Sequence, residues 1–463
     1  MGERKAGSLE VRGSIPLSST RKVKGLRIHR NSFLVYMPQW QVSGYLTADF
    51  YKKMARKVIV IGGGAAGLMA AGRAAELGAE AILLEKMPKP GIKISITGKG
   101  RCNLTSGEDI DKFIEAFGPN GRFLINAFAK FFSDDLVDFF ESLGMKTVIE
   151  RGKRIFPLSG NAKDVVEALV TNLNKHGVKI IAGTTVKEIL IHGNEVIGVD
   201  TDKGVFHGDA VILATGGASY PKTGSTGDGY DMARKVGHTI IPIRPALVPL
   251  VVKEAYAKDL QGLALNHVTA SVYLDGKKIA EAFGEMLFTH FGLSGPIILT
   301  LSKTVVDSIE KGKVEVYIDL KPALSREKLD ARFLREVKEH GNKNVDNMLK
   351  NLLPQSMIPV IVRLTGIPSD KKTHQITAKE RGALIEILKG LRFTIIKPRP
   401  MDEAIVTAGG VSIKEVDPKT MESRIVKGLY ICGEVLDVDG KTGGYNLQAA
   451  FSTGWVSGAS AAK

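Results

Sequence analysis

The run Lys57-Val-Ile-Val-Ile61, followed at once by Gly62-Gly-Gly64-Ala65-Ala66-Gly67 and an Ala- and Leu-rich stretch to Gly78, leaves few folds open. Four consecutive β-branched residues suit a strand buried on both faces. The Ala-rich stretch after the glycines suits a helix that stops at Gly78. In this G-x-G-x-x-G, Gly62 permits a tight turn, Gly64 lets backbone approach a pyrophosphate, and Gly67 lets the helix pack on the strand. The amides at the helix start, on Ala65 and Ala66, then face the phosphates with the positive end of the helix dipole. In a chain with 51 glycines the spacing alone is weak, so its context decides. A second apolar run, Ala81 to Leu84, ends at Glu85, where an acidic residue is expected to accept hydrogen bonds from a ribose. Strand, glycine turn, helix, strand and acid in that order predict a dinucleotide site.

The rest of the composition narrows the class. With 463 residues, 44% hydrophobic and 24% charged, the chain is globular and long enough for two or three domains. The net charge of +15 suggests an anionic partner until it is located. Residues 1–53 hold ten Lys and Arg against three Asp and Glu and have no periodicity, so they read as a basic extension, disordered or not native, upstream of a start at Met54. Nucleic acid is therefore not expected as a partner. Two cysteines, Cys102 and Cys432, make neither a disulfide framework nor a C-x-x-C. No apolar run approaches the roughly 18 residues of a membrane span. The expected setting is cytoplasmic, the expected partner a small-molecule substrate, and the oligomeric state stays open. There is no metal-ligand spacing and no nucleophile elbow.

Two further stretches read as close backbone approach to a ligand. Ala210 to Leu213 is a strand that ends at Ala214-Thr215-Gly216-Gly217. Gly428-Leu-Tyr-Ile-Cys432 is another, running into Gly433-Glu434 and then a glycine-rich loop to Gly444-Tyr445-Asn446-Leu447, read as an Asn-capped helix.

After Glu85 the chain continues Lys86-Met-Pro-Lys-Pro-Gly91-Ile-Lys93-Ile-Ser95-Ile-Thr-Gly98-Lys-Gly100-Arg101-Cys102-Asn103, a long glycine-punctuated loop. It resembles the two-dinucleotide-binding flavoproteins, specifically the bacterial and archaeal family that includes aminoacetone oxidases and BaiN-type bile-acid reductases. The chain departs from that pattern at Ile92, where the family has a glycine. The resemblance continues through Arg154-Ile-Phe-Pro157, Tyr220 to Gly229, Gly284 to Pro296, Thr407-Ala-Gly409-Gly410-Val411 and Cys432 to Gln448, partly shared with the fumarate reductase superfamily. It implies FAD as cofactor, with NAD(P)H as a transient reductant. It further implies FAD contacts from Gly62, Gly64, Ala65, Ala66, Gly67, Glu85, Lys86, Lys93, Ser95, Gly100, Arg101, Cys102, Asn103 and Val186. From the later blocks it adds Ala214, Thr215, Gly216, Gly217, Gly409, Gly410, Gly433, Glu434, Gly444, Tyr445, Asn446 and Leu447. Arg101 stands for either a substrate anion or the cofactor phosphate.

The expected fold class is α/β: a Rossmann-like FAD-binding domain, residues 54–245 and 397–463, interrupted by a cap or substrate domain, 246–396. Within the insert, alternating runs at Leu247–Val252 and His267–Leu274 and the turn Asp275-Gly276 predict a β-barrel-like unit over 246–324. Helical spacing of Leu329, Phe333, Leu334 and Val337, and of Leu384, Ile385 and Leu388, predicts a helical unit over 325–391. No second G-x-G-x-x-G follows a strand, which argues against a dedicated NADPH domain. With flavin supplying the difficult step, the protein needs orientation and a proton donor. His290 leads the candidates, followed by Tyr220 and Glu285. The function expected is an FAD-dependent oxidoreductase transferring hydride between flavin and a small organic substrate or NAD(P)H. A flavin-dependent RNA-modifying protein and a redox sensor without turnover are the alternatives.

Overall fold

Val58, Ile59, Val60 and Ile61 are each no more than 3% exposed because their strand is central in a five-stranded parallel sheet. The order across the sheet is Leu429–Ile431, Ala210–Leu213, Lys57–Ile61, Glu80–Glu85 and Lys179–Ala182. Val58 and Val60 join the core formed with helices Ala65–Glu76, Ala162–Lys175 and Tyr445–Ala461. Ile59 and Ile61 face the opposite core, which holds Phe113, Phe128 and residues of the antiparallel meander Val186–His192, Glu195–Thr201, Gly204–His207. The two-residue alternation of the strand therefore sorts its side chains between two layers. These facts come from a computed structural model that describes residues 55–463, so the expected extension over 1–53 lies outside the described residues. Among the described residues no helix is long and apolar enough to cross a membrane.

The expected β-barrel-like unit is a closed six-stranded barrel of Leu250–Val252, Gly292–Ser294, Lys277–Thr289, Ala264–Leu274, Val314–Asp319 and Leu391–Pro398. The hairpin turn predicted at Asp275-Gly276 has φ of 48° and 83°, the two left-handed residues of a tight hairpin turn. Five strands come from one continuous stretch. The sixth, Leu391–Pro398, follows the helices and runs across residue 396. Those helices, Arg326–His340, Val345–Leu349, Ile358–Thr365 and Ala378–Lys389, share one core with the barrel interior through Leu329, Phe333, Leu384 and Leu388. Leu334, drawn into the same spacing by the sequence, is 48% exposed.

Two contacts position the pieces around the sheet. Helix Tyr445–Ala461 crosses helix Ala65–Glu76 closely, since a Cβ at Gly454 or Gly458 would come within 2.3 Å of the carbonyl oxygen of Ala66 or Ala70. From the barrel side, Lys303 on helix Pro296–Val306 donates to both carboxylate oxygens of Asp439, at 2.7 and 2.8 Å.

His238 is a buried lock between helix Asp228–Lys235 and the C-terminal segment. Its Nδ1 lies 3.2 Å from Glu415 Oε2 and its Nε2 2.8 Å from Ser423 Oγ. Burial lowers the His238 pKa, and the neighbouring Glu415 only partly opposes this. The unfolded chain therefore takes up the proton first as pH falls below the ordinary value of about 6.5. Stability present above that pH is lost as the pH drops toward the depressed folded value. The melting temperature is expected to fall between neutral and mildly acid pH more steeply than that of His238→Asn, and parallel curves would count against it.

Candidate active site

A cavity of about 950 Å³ opens along the carboxyl ends of the parallel strands. Its floor is the glycine turn. Gly62 has φ of 101°, and a Cβ there would lie 2.7 Å from the Ala214 carbonyl, while a Cβ at Gly67 would lie 1.9 Å from the Gly62 carbonyl oxygen. A Cβ at Gly64 meets nothing within 4 Å, and Gly64, Ala65 and Ala66 line the cavity. No side chain caps this helix, so its positive end is left to whatever occupies the cavity.

Glu85 is 8% exposed. Its Oε2 accepts from the Gly63 N–H and its Oε1 from the Met87 N–H, both at 2.7 Å. The carboxylate thus braces the turn and still has lone pairs for a ribose hydroxyl. Lys86 donates to Asp228 Oδ2 at 2.6 Å and also bonds Thr226. Burial raises the Asp228 carboxyl pKa, but the bonds from Lys86 and Thr226 outweigh it and hold the group below its usual range.

A second uncapped helix start reaches the same cavity. The sequence reads Asn446 as the cap of the C-terminal helix. Instead the cap is Gly444, at φ of 100°, which passes so near Thr105 that a Cβ would lie 2.5 Å from its carbonyl. Asn446 sits inside the helix and reaches back, accepting from the Gly440 N–H at 2.8 Å and donating to the Gly440 carbonyl at 2.9 Å. It pins the glycine-rich loop, leaving the amides near Gly444 and Tyr445 open. Lys93 ties the walls together, donating to Glu434 Oε2 at 2.8 Å and Ser219 Oγ at 2.7 Å. The Lys93 region also differs from the expected loop, because Ile92–Gly100 is a short helix interrupted at Thr97, Gly98 and Lys99.

The cavity brings together Gly62, Gly64, Ala65, Ala66, Glu85, Lys86, Lys93, Arg101, Asn103, Val186, Ala214, Thr215, Gly216, Gly433, Glu434, Gly444, Tyr445, Asn446 and Leu447. Gly67, Ser95, Gly100, Cys102, Gly217, Gly409 and Gly410 are not among its lining residues. Several of these serve packing: a Cβ would meet Thr407 Oγ1 at 2.4 Å from Gly217, the Pro242 carbonyl at 2.3 Å from Gly409 and the Val435 carbonyl at 2.6 Å from Gly410. Arg101 pairs with Glu150 and stacks over Phe156 at 4.4 Å.

Of the three acid–base candidates, Glu285 lines the cavity and His290 and Tyr220 do not. His290 and Phe291 form the turn between strands Lys277–Thr289 and Gly292–Ser294, which leaves His290 exposed. Tyr220, at φ of 53°, opens a short 3₁₀ turn and accepts the Thr223 hydroxyl proton on its carbonyl at 2.7 Å. The barrel wall and the helix Pro296–Val306 contribute residues not read from the sequence as site residues, among them His267, Phe283 and Thr300. His267 lies where the register of strand Ala264–Leu274 shifts between Leu265 and Val268. That bulge had a signal: the buried positions Leu265, Val268, Ala270 and Val272 break strict alternation at Asn266-His267.

Both cysteines are fully buried, and neither lines the cavity. Burial pushes Cys102 up to about 11 and Cys432 up to about 12. Native protein at pH 8 is therefore expected to resist iodoacetamide at both positions, with alkylation appearing only after denaturation. Rapid labelling of folded protein would contradict the burial. Among the described residues no cluster of His, Cys, Asp and Glu is arranged to hold a metal ion.

A parallel sheet with a glycine-turn cavity at its carboxyl ends, walled by a barrel, defines a dinucleotide-binding protein of the mixed α/β class. The chain belongs to the family described as the HI0933-like protein Rossmann domain, whose pattern matches residues 56–460. It is 35% identical over 410 residues to a 3-dehydro-bile acid delta(4,6)-reductase of Clostridium scindens, covering 88% of this chain and 99% of the relative. It is 32% identical over 404 residues to a ribosomal RNA dihydrouridine synthase of Escherichia coli, covering 86% of this chain and 96% of the relative. A flavocytochrome c3 fumarate reductase structure matches at 18% identity and a TM-score of 0.48, covering 92% of this chain and 81% of that chain. The protein is a flavin-dependent oxidoreductase, and FAD is the implied cofactor. The residues fit it: beside the glycine cradle, the buried Asn103 Oδ1 and Thr215 Oγ1 have no hydrogen-bond partner among the described residues, and both residues line the cavity.

Proposed function

We propose that the protein reduces a carbon–carbon double bond polarised by a carbonyl group in a small organic substrate, with NAD(P)H as the source of electrons. One observation carries this reading. The cavity that begins at the dinucleotide turn continues onto the barrel, where Ala282 to Glu285, with Pro296, Ile297, Leu299 and Thr300 of the adjoining helix, supply a second, partly apolar wall. Such a chamber admits an organic substrate against a bound cofactor. The names of both relatives support the chemistry, since a delta(4,6)-reductase and a dihydrouridine synthase each saturate a double bond conjugated to a carbonyl.

Bound FAD supplies hydride chemistry; the chain supplies the surroundings. The amides of Gly64 to Ala66 would hold the pyrophosphate, and Glu85 a ribose hydroxyl. The open amides at Gly444 and Tyr445 would stabilise negative charge at the flavin's carbonyl edge. Asn103 and Thr215 would each gain the partner they lack. Phe283, 63% exposed at the barrel wall, offers an apolar surface to substrate.

A second reading has its own support. Lys89, Lys99, Arg151 and Arg154 line the cavity without an ion-pair partner among the described residues, and this suits a double bond carried on RNA. One experiment tests both. Purified enzyme is reduced anaerobically with NADH or NADPH, then mixed with cyclohex-2-enone, a 3-oxo-4-ene steroid, uridine or deproteinised ribosomal RNA while flavin absorbance is followed. Rapid reoxidation by an enone is expected. Reoxidation by RNA alone would favour the second reading, and the absence of reoxidation by any of these acceptors would sink both.

A further inference from the structure

Resting on the reductase reading above, we propose that His267 is the proton donor to the substrate. Saturating the double bond requires a proton as well as a hydride. The carbon β to the carbonyl receives hydride, the chemistry a reduced flavin supplies, with electrons drawn from a reduced nicotinamide dinucleotide. The π electron pair moves to the α carbon, where a second C–H bond forms as the His267 N–H bond breaks. The neutral imidazole then regains a proton from solvent.

Three independent features select His267. It lines the cavity on the barrel wall. It stands in a β-bulge with φ of 57°, a strained backbone for a histidine that turns the side chain out of the strand's alternation. Its ring lies against Phe283 of the paired strand, centroids 6.3 Å apart, and its nitrogens have no hydrogen-bond partner among the described residues. An imidazole held by an aromatic neighbour, with both nitrogens free, suits proton transfer. The charged groups lining the same cavity include Glu285, on the same strand as Phe283, and Lys99, Arg151 and Arg154 from other segments. Glu285 can only accept when ionised.

The test uses FAD-loaded enzyme and two substitutions that tolerate left-handed backbone, His267→Asn and His267→Gly. Reoxidation of prereduced enzyme by cyclohex-2-enone is expected to slow by about 10²- to 10⁴-fold in both, while reduction by NADPH is unchanged. Free imidazole is expected to rescue His267→Gly and not His267→Asn, because only the glycine leaves room for it. As a readout apart from turnover, carbethoxylation of His267 by diethyl pyrocarbonate in oxidised enzyme, mapped by mass spectrometry, is expected to slow when cyclohex-2-enone is added. Variants that reoxidise at the wild-type rate, or labelling indifferent to the enone, would overturn the assignment while leaving the reductase reading intact. A wild-type enzyme inert to the enone, to the 3-oxo-4-ene steroid and to uridine would overturn the reductase reading, and the proton donor with it.

Discussion

Alanine at Gly67 is expected to destabilise the fold, whereas alanine at Gly64, three residues earlier in the same motif, is expected to weaken cofactor binding alone. At Gly67 the added Cβ would lie 1.9 Å from the Gly62 carbonyl oxygen, a backbone atom fixed by the central strand. The helix must move away from the sheet, an overpacking cost of about 1–3 kcal/mol or more. That displacement also disturbs the layer in which Gly454 and Gly458 hold the C-terminal helix close to Ala66 and Ala70. At Gly64 the added atom meets nothing within 4 Å, because it enters the cavity. The apoprotein is expected to melt as the wild type does. FAD affinity is expected to drop on the order of 100-fold, as one or two charge-assisted hydrogen bonds of about 1.5–3 kcal/mol are lost. Thermal melting of the apoproteins and equilibrium FAD titration separate the two outcomes. A Gly64→Ala protein that binds FAD normally would mean the pyrophosphate lies elsewhere.

This contrast also explains which parts of the molecule can be read from its sequence. The glycine turn is legible because strand, turn and helix are contiguous and each has its own period. Glu85 was found the same way, one strand later. The barrel's closure was not, since the strand Leu391–Pro398 that completes it is separated from its partners Leu250–Val252 and Val314–Asp319 by chain whose periodicity is helical. Asn446 suits a helix cap by residue type, but the helix starts earlier, at Gly444, where the backbone passes close to Thr105. The motif flanking His290 marks it in the sequence, yet the two-residue turn that holds it leaves it exposed and off the cavity wall. His267 has no motif around it. Its only trace is a break in alternation, visible once the pairing partners of Leu265 and Val268 are known.

Glu85→Gln is expected to fail in both respects at once, which neither glycine substitution near it does. The side chain is nearly isosteric, so no space is created and no atom is crowded. The change is in hydrogen-bonding sign. Each carboxylate oxygen accepts a backbone N–H at 2.7 Å, from Gly63 on one side and Met87 on the other. An amide has one oxygen, so whichever way it is oriented its NH₂ group is set against an N–H donor in a buried site. The turn then loses one charge-assisted bond, about 1.5–3 kcal/mol, and carries an unsatisfied donor as well. Gly63 lies between the two glycines that shape the pyrophosphate site, so its release loosens that site before any ligand arrives. The remaining acceptor capacity toward a ribose hydroxyl is halved in the same step. The melting temperature of the apoprotein and the affinity for FAD are therefore expected to fall together. An E85Q protein with wild-type stability and weakened FAD binding would assign Glu85 to the ribose alone, and the reverse result would make it a structural brace.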